Sequence, residues 1–215
     1  MRVYPFAAGA FAENAYVAVS PSGAAVAIDP GAAAPRMAAT LLEAGAELEA
    51  ILLTHAHLDH IEGVARLRRE WQAPIWLHPG DRPLYDAVLQ QAVAFGLEVE
   101  EPPPPDEAFA HGQSYAFGDA TFEVRHAPGH APGHVILYAA EAGLAFVGDV
   151  IFQGSIGRTD LPGGDFRQLM RSIREQVLTL PEPTRLLPGH GPETTVGFES
   201  RTNPFLVPQY GGELA

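Results

Sequence analysis

Short apolar runs in this chain of 215 residues stop at turns that carry histidine or aspartate, which limits how the chain can fold. Glu49 to Leu53 runs into Thr54-His55-Ala56-His57-Leu58-Asp59-His60. Further on come Ala127-Pro128-Gly129-His130, Phe146-Val147-Gly148-Asp149 and Leu187-Pro188-Gly189-His190. Short apolar runs bounded by Gly and Pro read as strands. A glycine ahead of each polar residue permits close backbone approach, and strand ends on one edge of a sheet converge on a common cleft.

The remaining pattern supplies the layers. Ala15 to Ser20 and Ala24 to Ile28 flank Pro21-Ser22-Gly23 as a hairpin, and Asp29-Pro30-Gly31 closes the second strand. Pro35 opens a helix that Gly45 ends. Ile61 to Trp71 has helical spacing, Ile75 to Leu77 is a brief strand, and Asp81 to Phe95 is a second helix candidate. Pro102 to Pro105 forms a stiff extended segment that bridges two elements. Tyr115 to Phe117 and Thr121 to Arg125 flank Gly118-Asp119, a hairpin signal. His134 to Tyr138, Leu144 to Val147 and Arg185 to Leu187 read as strands, and Asp165 to Leu178 as a helix. Strands and helices recurring in each half suggest an α/β fold, an αββα sandwich with two mixed sheets inside and helices outside. One domain over 1–215 is expected, with 47% hydrophobic residues to fill its core.

Charge narrows the partners. Thirteen Lys+Arg against 26 Asp+Glu leave a formal net charge of -13, which repels nucleic acid and anionic lipid, so neither is an expected partner. No apolar stretch approaches the roughly 20 residues of a membrane span, and Met1 to Phe6 does not read as the start of a signal peptide; a cytoplasmic protein is the default. With no cysteine, a thiol nucleophile is excluded and any metal must be held by histidine and carboxylate.

His55, His57, Asp59 and His60 lie between a strand and a helix. In an extended or looping backbone, residues two apart project to one side, so His55 and His57 can chelate one ion while Asp59 and His60 turn toward a second. Imidazole suits zinc and iron, and the added carboxylate admits manganese. His130, Asp149 and His190 supply what such a cluster still needs. A solvated histidine loop, or capping by Asp59, is the plainer alternative.

The order His-X-His-X-Asp-His, His, Asp, His resembles the metal-binding series of the metallo-β-lactamase superfamily. Ala-Pro-Gly-His-Ala-Pro-Gly-His at 127–134, Gly-Arg-Thr-Asp at 157–160, Pro-Gly-His-Gly-Pro-Glu-Thr-Thr at 188–195 and Asn203-Pro204-Phe205 are similar to its short glyoxalase II-like branch. The resemblance implies two divalent ions, zinc first, with iron or manganese as alternatives. His55, His57 and His130 would hold one, Asp59, His60 and His190 the other, and Asp149 would bridge them. It implies hydrolysis of a small-molecule thioester such as S-lactoylglutathione by a metal-bridging hydroxide that Asp59, as catalytic residue, orients. The long glyoxalase II forms carry a C-terminal helical region with glutathione contacts, beyond where this chain reaches. An iron persulfide dioxygenase, similar in fold, would instead use one metal on His55, His130 and Asp149. Lactonase or β-lactamase chemistry and a non-catalytic, metal-stapled binding module are further alternatives.

Around the series, His134 is expected to be an outer partner of the cluster rather than a ligand, and Asp29 a turn residue that buttresses the histidine loop. Arg158 is a candidate for holding a substrate carboxylate, with an ion pair to Asp160 or Asp165 as the alternative. His78, His111 and His126 are read as surface or capping residues.

Overall fold

Period-two alternation sorts the strands into layers. In β2 (Glu13–Val19), Ala15 and Val17 face one side while Tyr16 and Ala18 face the other. In β3 (Ala24–Ile28), Ala25 and Ala27 join the first pair and Val26 and Ile28 the second. The same split appears in β9 (Val135–Ala139) and β10 (Leu144–Gly148), where Leu137 and Phe146 point inward and Ile136 and Ala145 outward. The inward residues of both sheets form one apolar layer, so the sheets pack face to face.

The computed structural model describes residues 1–207. In the first six-stranded sheet, β1 (Arg2–Ala8), β2 and β3 are antiparallel, and β4 (Glu47–Leu52), β5 (Ile75–Leu77) and β6 (Glu107–Ala108) continue in parallel. The second sheet runs β14 (Thr194–Thr195), β13 (Arg185–Pro188), β10, β9, β8 (Ala120–His126) and β7 (Ser114–Phe117), with one parallel pair, β10 to β13. Two short strands, β11 (Ile151–Phe152) and β12 (Ser155–Ile156), form a separate hairpin.

Helices cover both outer faces, giving the expected αββα sandwich. α1 (Ala34–Ala44) buries Met37 and Leu41 and ends at Gly45, whose left-handed backbone (φ 59°) lets its N–H return to the last turn. α2 (Leu58–Ile61), α3 (Val64–Trp71), α4 (Arg82–Asp86) and α5 (Val88–Phe95) share that face. α6 (Phe166–Ser172), capped by Asp165 accepting from the Gln168 N–H, covers the other and continues through a π-turn at Ile173–Val177. α7 (Val196–Thr202) closes the described chain.

Two expected helices are broken, one by a distant contact and one by local hydrogen bonds. Helical spacing over 61–71 is interrupted at Glu62-Gly63, where the Gly63 N–H turns to the Pro30 carbonyl (2.7 Å) at an approach so close that a Cβ would lie 2.3 Å from the Pro30 and Gly31 oxygens. Over 81–95 the break falls at Ala87, where the Leu84 carbonyl accepts from the Ala87 N–H and the Gln91 side chain. β1 went unexpected; it contains Pro5, which an edge strand tolerates. The short strands β11, β12 and β14 and helix α7 were likewise not anticipated. Among the described residues no helix is long and apolar enough to cross a membrane.

Candidate metal centre

The loops after β4, β8, β10 and β13 meet at one end of the sandwich. Asp29 fixes the first of them. Held at φ 48°, a region few non-glycine residues enter, its carboxylate accepts from the Thr54 N–H (2.7 Å) and the Thr54 hydroxyl (2.6 Å) and lies 3.1 Å from His60 Nδ1. Asp149 enters through Gly148, whose φ of 46° suits glycine. His190 follows Gly189, where a Cβ would sit 2.1 Å from Asp149 Oδ1.

Seven side chains converge there. Donor atoms of His55, His57 and His130 lie within 4.8 Å of one another, as do those of Asp59, His60 and His190. Asp149 stands between the groups: Oδ1 is 3.4 Å from His60 Nε2, and Oδ2 is 3.5 Å from both His130 Nε2 and His190 Nε2. Asp29, His55 and His60 also fall within the limit, but both Asp29 oxygens are already engaged as described.

Outer partners set the ring orientations. His130 Nδ1 faces the Arg158 carbonyl (2.7 Å), His190 Nδ1 the Phe11 carbonyl (3.2 Å), His60 Nδ1 Asp29, and His55 Nδ1 the Thr54 hydroxyl (3.1 Å), so each presents Nε2 inward. His57 is reversed, with Nδ1 2.8 Å from His130 Nε2. Nε2 of His55 and of His60 and Oδ1 of Asp149 are buried without a hydrogen-bond partner. Buried polar atoms are seldom left so unless a further group satisfies them, and inward imidazoles beside carboxylates suit divalent metal.

The two groups differ in charge. Burial drives the His55 and His130 imidazoles toward the neutral form and takes His57 to about 3, with His130 adding repulsion at His57. Burial opposes charge at His60 and His190 too, but Asp59 and Asp149 outweigh it, raising His60 well above its ordinary value and His190 to about 9. Asp149 is correspondingly held well below the usual carboxylate range despite its burial, chiefly by His60.

His134 is buried, stacks on His55 at 4.6 Å and accepts the Asp149 backbone N–H through Nε2 (3.0 Å), a position outside both groups. The Arg158 guanidinium is exposed and bidentate on Asp160, both contacts 2.7 Å. His78 accepts the Gly80 N–H, His111 the His126 N–H, and the His78 and His126 rings stack, all apart from the seven donors.

Several residues at the site carry no sequence signal. Asp81, buried, accepts the Ala56 N–H on one oxygen and the Gly133 N–H on the other, tying the His55–His60 loop to the loop after His130; burial lifts its pKa to about 6 against those two bonds. Gln91 bonds the Leu58 N–H and the carbonyls of Ala56 and Leu84, seating α5 under the same loop. Glu13 is buried 3.8 Å from His60 and bridges through its backbone to His190. A polar Glu13-Asn14 pair opening an apolar strand was the one hint available.

The centre forms the floor of a cavity of about 570 Å³ walled by the turn before β2, by α4 and α5, and by residues 158–162. Fold, donor set and cavity together define a metallo-hydrolase. The chain belongs to the metallo-beta-lactamase superfamily, whose sequence profile matches residues 8–190. It is 39% identical to hydroxyacylglutathione hydrolase GloC of Haemophilus influenzae, over 92% of this chain and 94% of that protein. The BLEG-1 B3 metallo-beta-lactamase superposes with TM-score 0.90 at 39% identity, over 96% of this chain and all of that one. TTHA1623, in a di-iron-bound form, gives 0.88 at 45% identity, over 94% and all of the respective chains.

Proposed function

We propose that the chain is a two-metal thioester hydrolase. The observation that carries this reading is Asp149, whose two carboxylate oxygens face histidines of both donor groups. His55, His57 and His130 would hold one ion, Asp59, His60 and His190 the other, with Asp149 between them. Zinc fits the imidazole-rich set, and iron or manganese fits it as well. Ions bound there would supply Lewis acidity and a water acidified to a pKa of about 7.

The chain's own residues do the rest. Asp59, with Oδ2 3.3 Å from His190 Nε2, accepts a hydrogen bond from the attacking water and aims it. Asp29, Thr54, Phe11 and Arg158 hold the imidazoles in register through the contacts above, and the apolar wall limits access of bulk water. A thiolate leaves readily because its conjugate acid has a pKa of only about 8.5, so no strong general acid is required. The hydroxyacylglutathione hydrolase name of the Haemophilus relative supports a thioester as substrate class.

Metal analysis and hydrolysis of S-D-lactoylglutathione test this. The expected result is about two ions per chain and turnover that a His57→Ala, Asp59→Ala double variant loses. One iron per chain with oxygen uptake on glutathione persulfide would replace the hydrolase by the dioxygenase.

A further inference from the structure

The cavity above the donor cluster is apolar on nearly every side. Phe11, Leu84, Ala94, Phe95, Leu161 and Pro162 supply wall and rim. Phe11 and Phe95 come from different elements and meet edge to face at 5.1 Å, leaving 37% and 49% of their surfaces exposed. Aromatic pairs left half-exposed on a cavity rim gain by being covered with apolar surface.

Polar capacity is scarce. Above the donors the polar side chains are Gln90, Gln91 and Arg158: Gln91 spends its side-chain amide on the three backbone groups named above, and Gln90 offers an uncharged amide. The sequence holds no lysine, and outside the donor cluster Arg158 is the one cationic side chain among the described residues lining the cavity. Its guanidinium is already bidentate on Asp160. Exchanging one exposed carboxylate for another at that arginine yields little net binding. A glutathione moiety, with two carboxylates and an ammonium, finds no further cation outside the donor cluster.

We infer that this cavity selects an uncharged thioester by its apolar chain, with the charged carrier glutathione contributing little. The inference rests on the thioesterase reading for the reaction, though not for the binding. A chain lying along Phe95 and Leu161 toward the Asp149 floor removes apolar surface from water with each carbon, a gain of about fourfold per methylene if fully buried (about 0.8 kcal/mol).

Calorimetric titration of the metal-loaded protein with non-hydrolysable thioethers tests the binding. S-hexyl-N-acetylcysteamine is expected to bind at least about tenfold more tightly than its S-methyl counterpart, and no more weakly than S-hexylglutathione. Among substrates, kcat/KM is expected to rise from S-acetyl- to S-hexanoyl-N-acetylcysteamine and to exceed that for S-D-lactoylglutathione. Phe95→Ser should flatten this chain-length dependence through KM, and Phe95→Leu should restore it. S-methylglutathione binding as tightly as the hexyl compounds, or a flat chain-length dependence in the unaltered protein, would overturn the inference. Turnover with a preference for glutathione sinks the inference and leaves the hydrolase standing. Tight hexyl binding without any metal-dependent thioester turnover does the reverse.

Discussion

The two donor groups sit side by side yet prepare for metal in opposite ways. His55, His57 and His130 are deeply buried and neutral, already in the form that donates a lone pair. Asp59, His60 and His190 form a network of opposite charges in which two imidazoles hold protons against carboxylates. The difference comes from surroundings, since the ring chemistry is the same: burial prevails in the first group, where His130 alone lies within 4 Å of a carboxylate, Asp149, whereas Asp59 and Asp149 both stand against the imidazoles of the second. An ion entering the first site meets waiting lone pairs, whereas one entering the second must displace protons.

The largest break in this comparison is expected from Gly189→Ala. Its methyl group would collide with Asp149 Oδ1 and His60 Cε1, at 2.1 and 2.6 Å, while the closest contacts of the neutral trio are untouched. Metal content should drop from the charged site first, with activity reduced by about 10- to 100-fold, the scale on which displaced metal-site geometry acts. Metal analysis alongside kinetics reads both effects; equal loss at both sites would show that the groups do not act separately.

Asp81→Asn should be next. One side-chain oxygen becomes an N–H facing a backbone donor, Ala56 or Gly133, so a buried bond is lost at a cost of about 1–3 kcal/mol, read by thermal or denaturant unfolding. Both groups should loosen together, since the loop held at Ala56 carries His55 and His57 of one group and Asp59 and His60 of the other. A stability change without any change in metal affinity would separate the clamp from the centre.

Proton release sharpens the contrast without mutation. His60 and His190 have raised pKa values and are protonated near pH 7, so metal uptake at their site must release protons, and its apparent affinity should strengthen as pH rises toward about 9. His55, His57 and His130 have lowered values and should bind metal with little proton release over the same range. Calorimetry in buffers of different ionisation enthalpy counts the protons; one count for both sites would contradict the division. The smallest effect belongs to Arg158→Ala. Removing an exposed ion pair should leave the unfolding midpoint almost unchanged, while the backbone carbonyl that orients His130 remains.

The histidine loop and the glycine-led turns were legible because their signal is local: a short run of residue types fixes both the strand end and the side chain that follows it. The sandwich followed for the same reason, as alternation in β2, β3, β9 and β10 shows directly which residues face inward. Asp81, Glu13 and Gln91 were not legible, because each acquires its role from backbone groups far along the chain. Asp81 reads as one more acidic residue near a helix start until Gly133, 52 positions away, is laid against it. The helix break at Gly63 shares that cause, since local spacing favoured continuity and the remote Pro30 carbonyl prevailed.

That the donor side chains are drawn from both sheets bears on how the protein is made. His55, His57, Asp59 and His60 leave the first sheet, and His130, Asp149 and His190 the second, so neither half can close the centre before the two have docked. Contacts this distant in sequence form late on the folding path, where loop closure is slow. Metal should therefore act mainly as a brake on unfolding, lengthening the native lifetime while leaving the refolding rate almost unchanged.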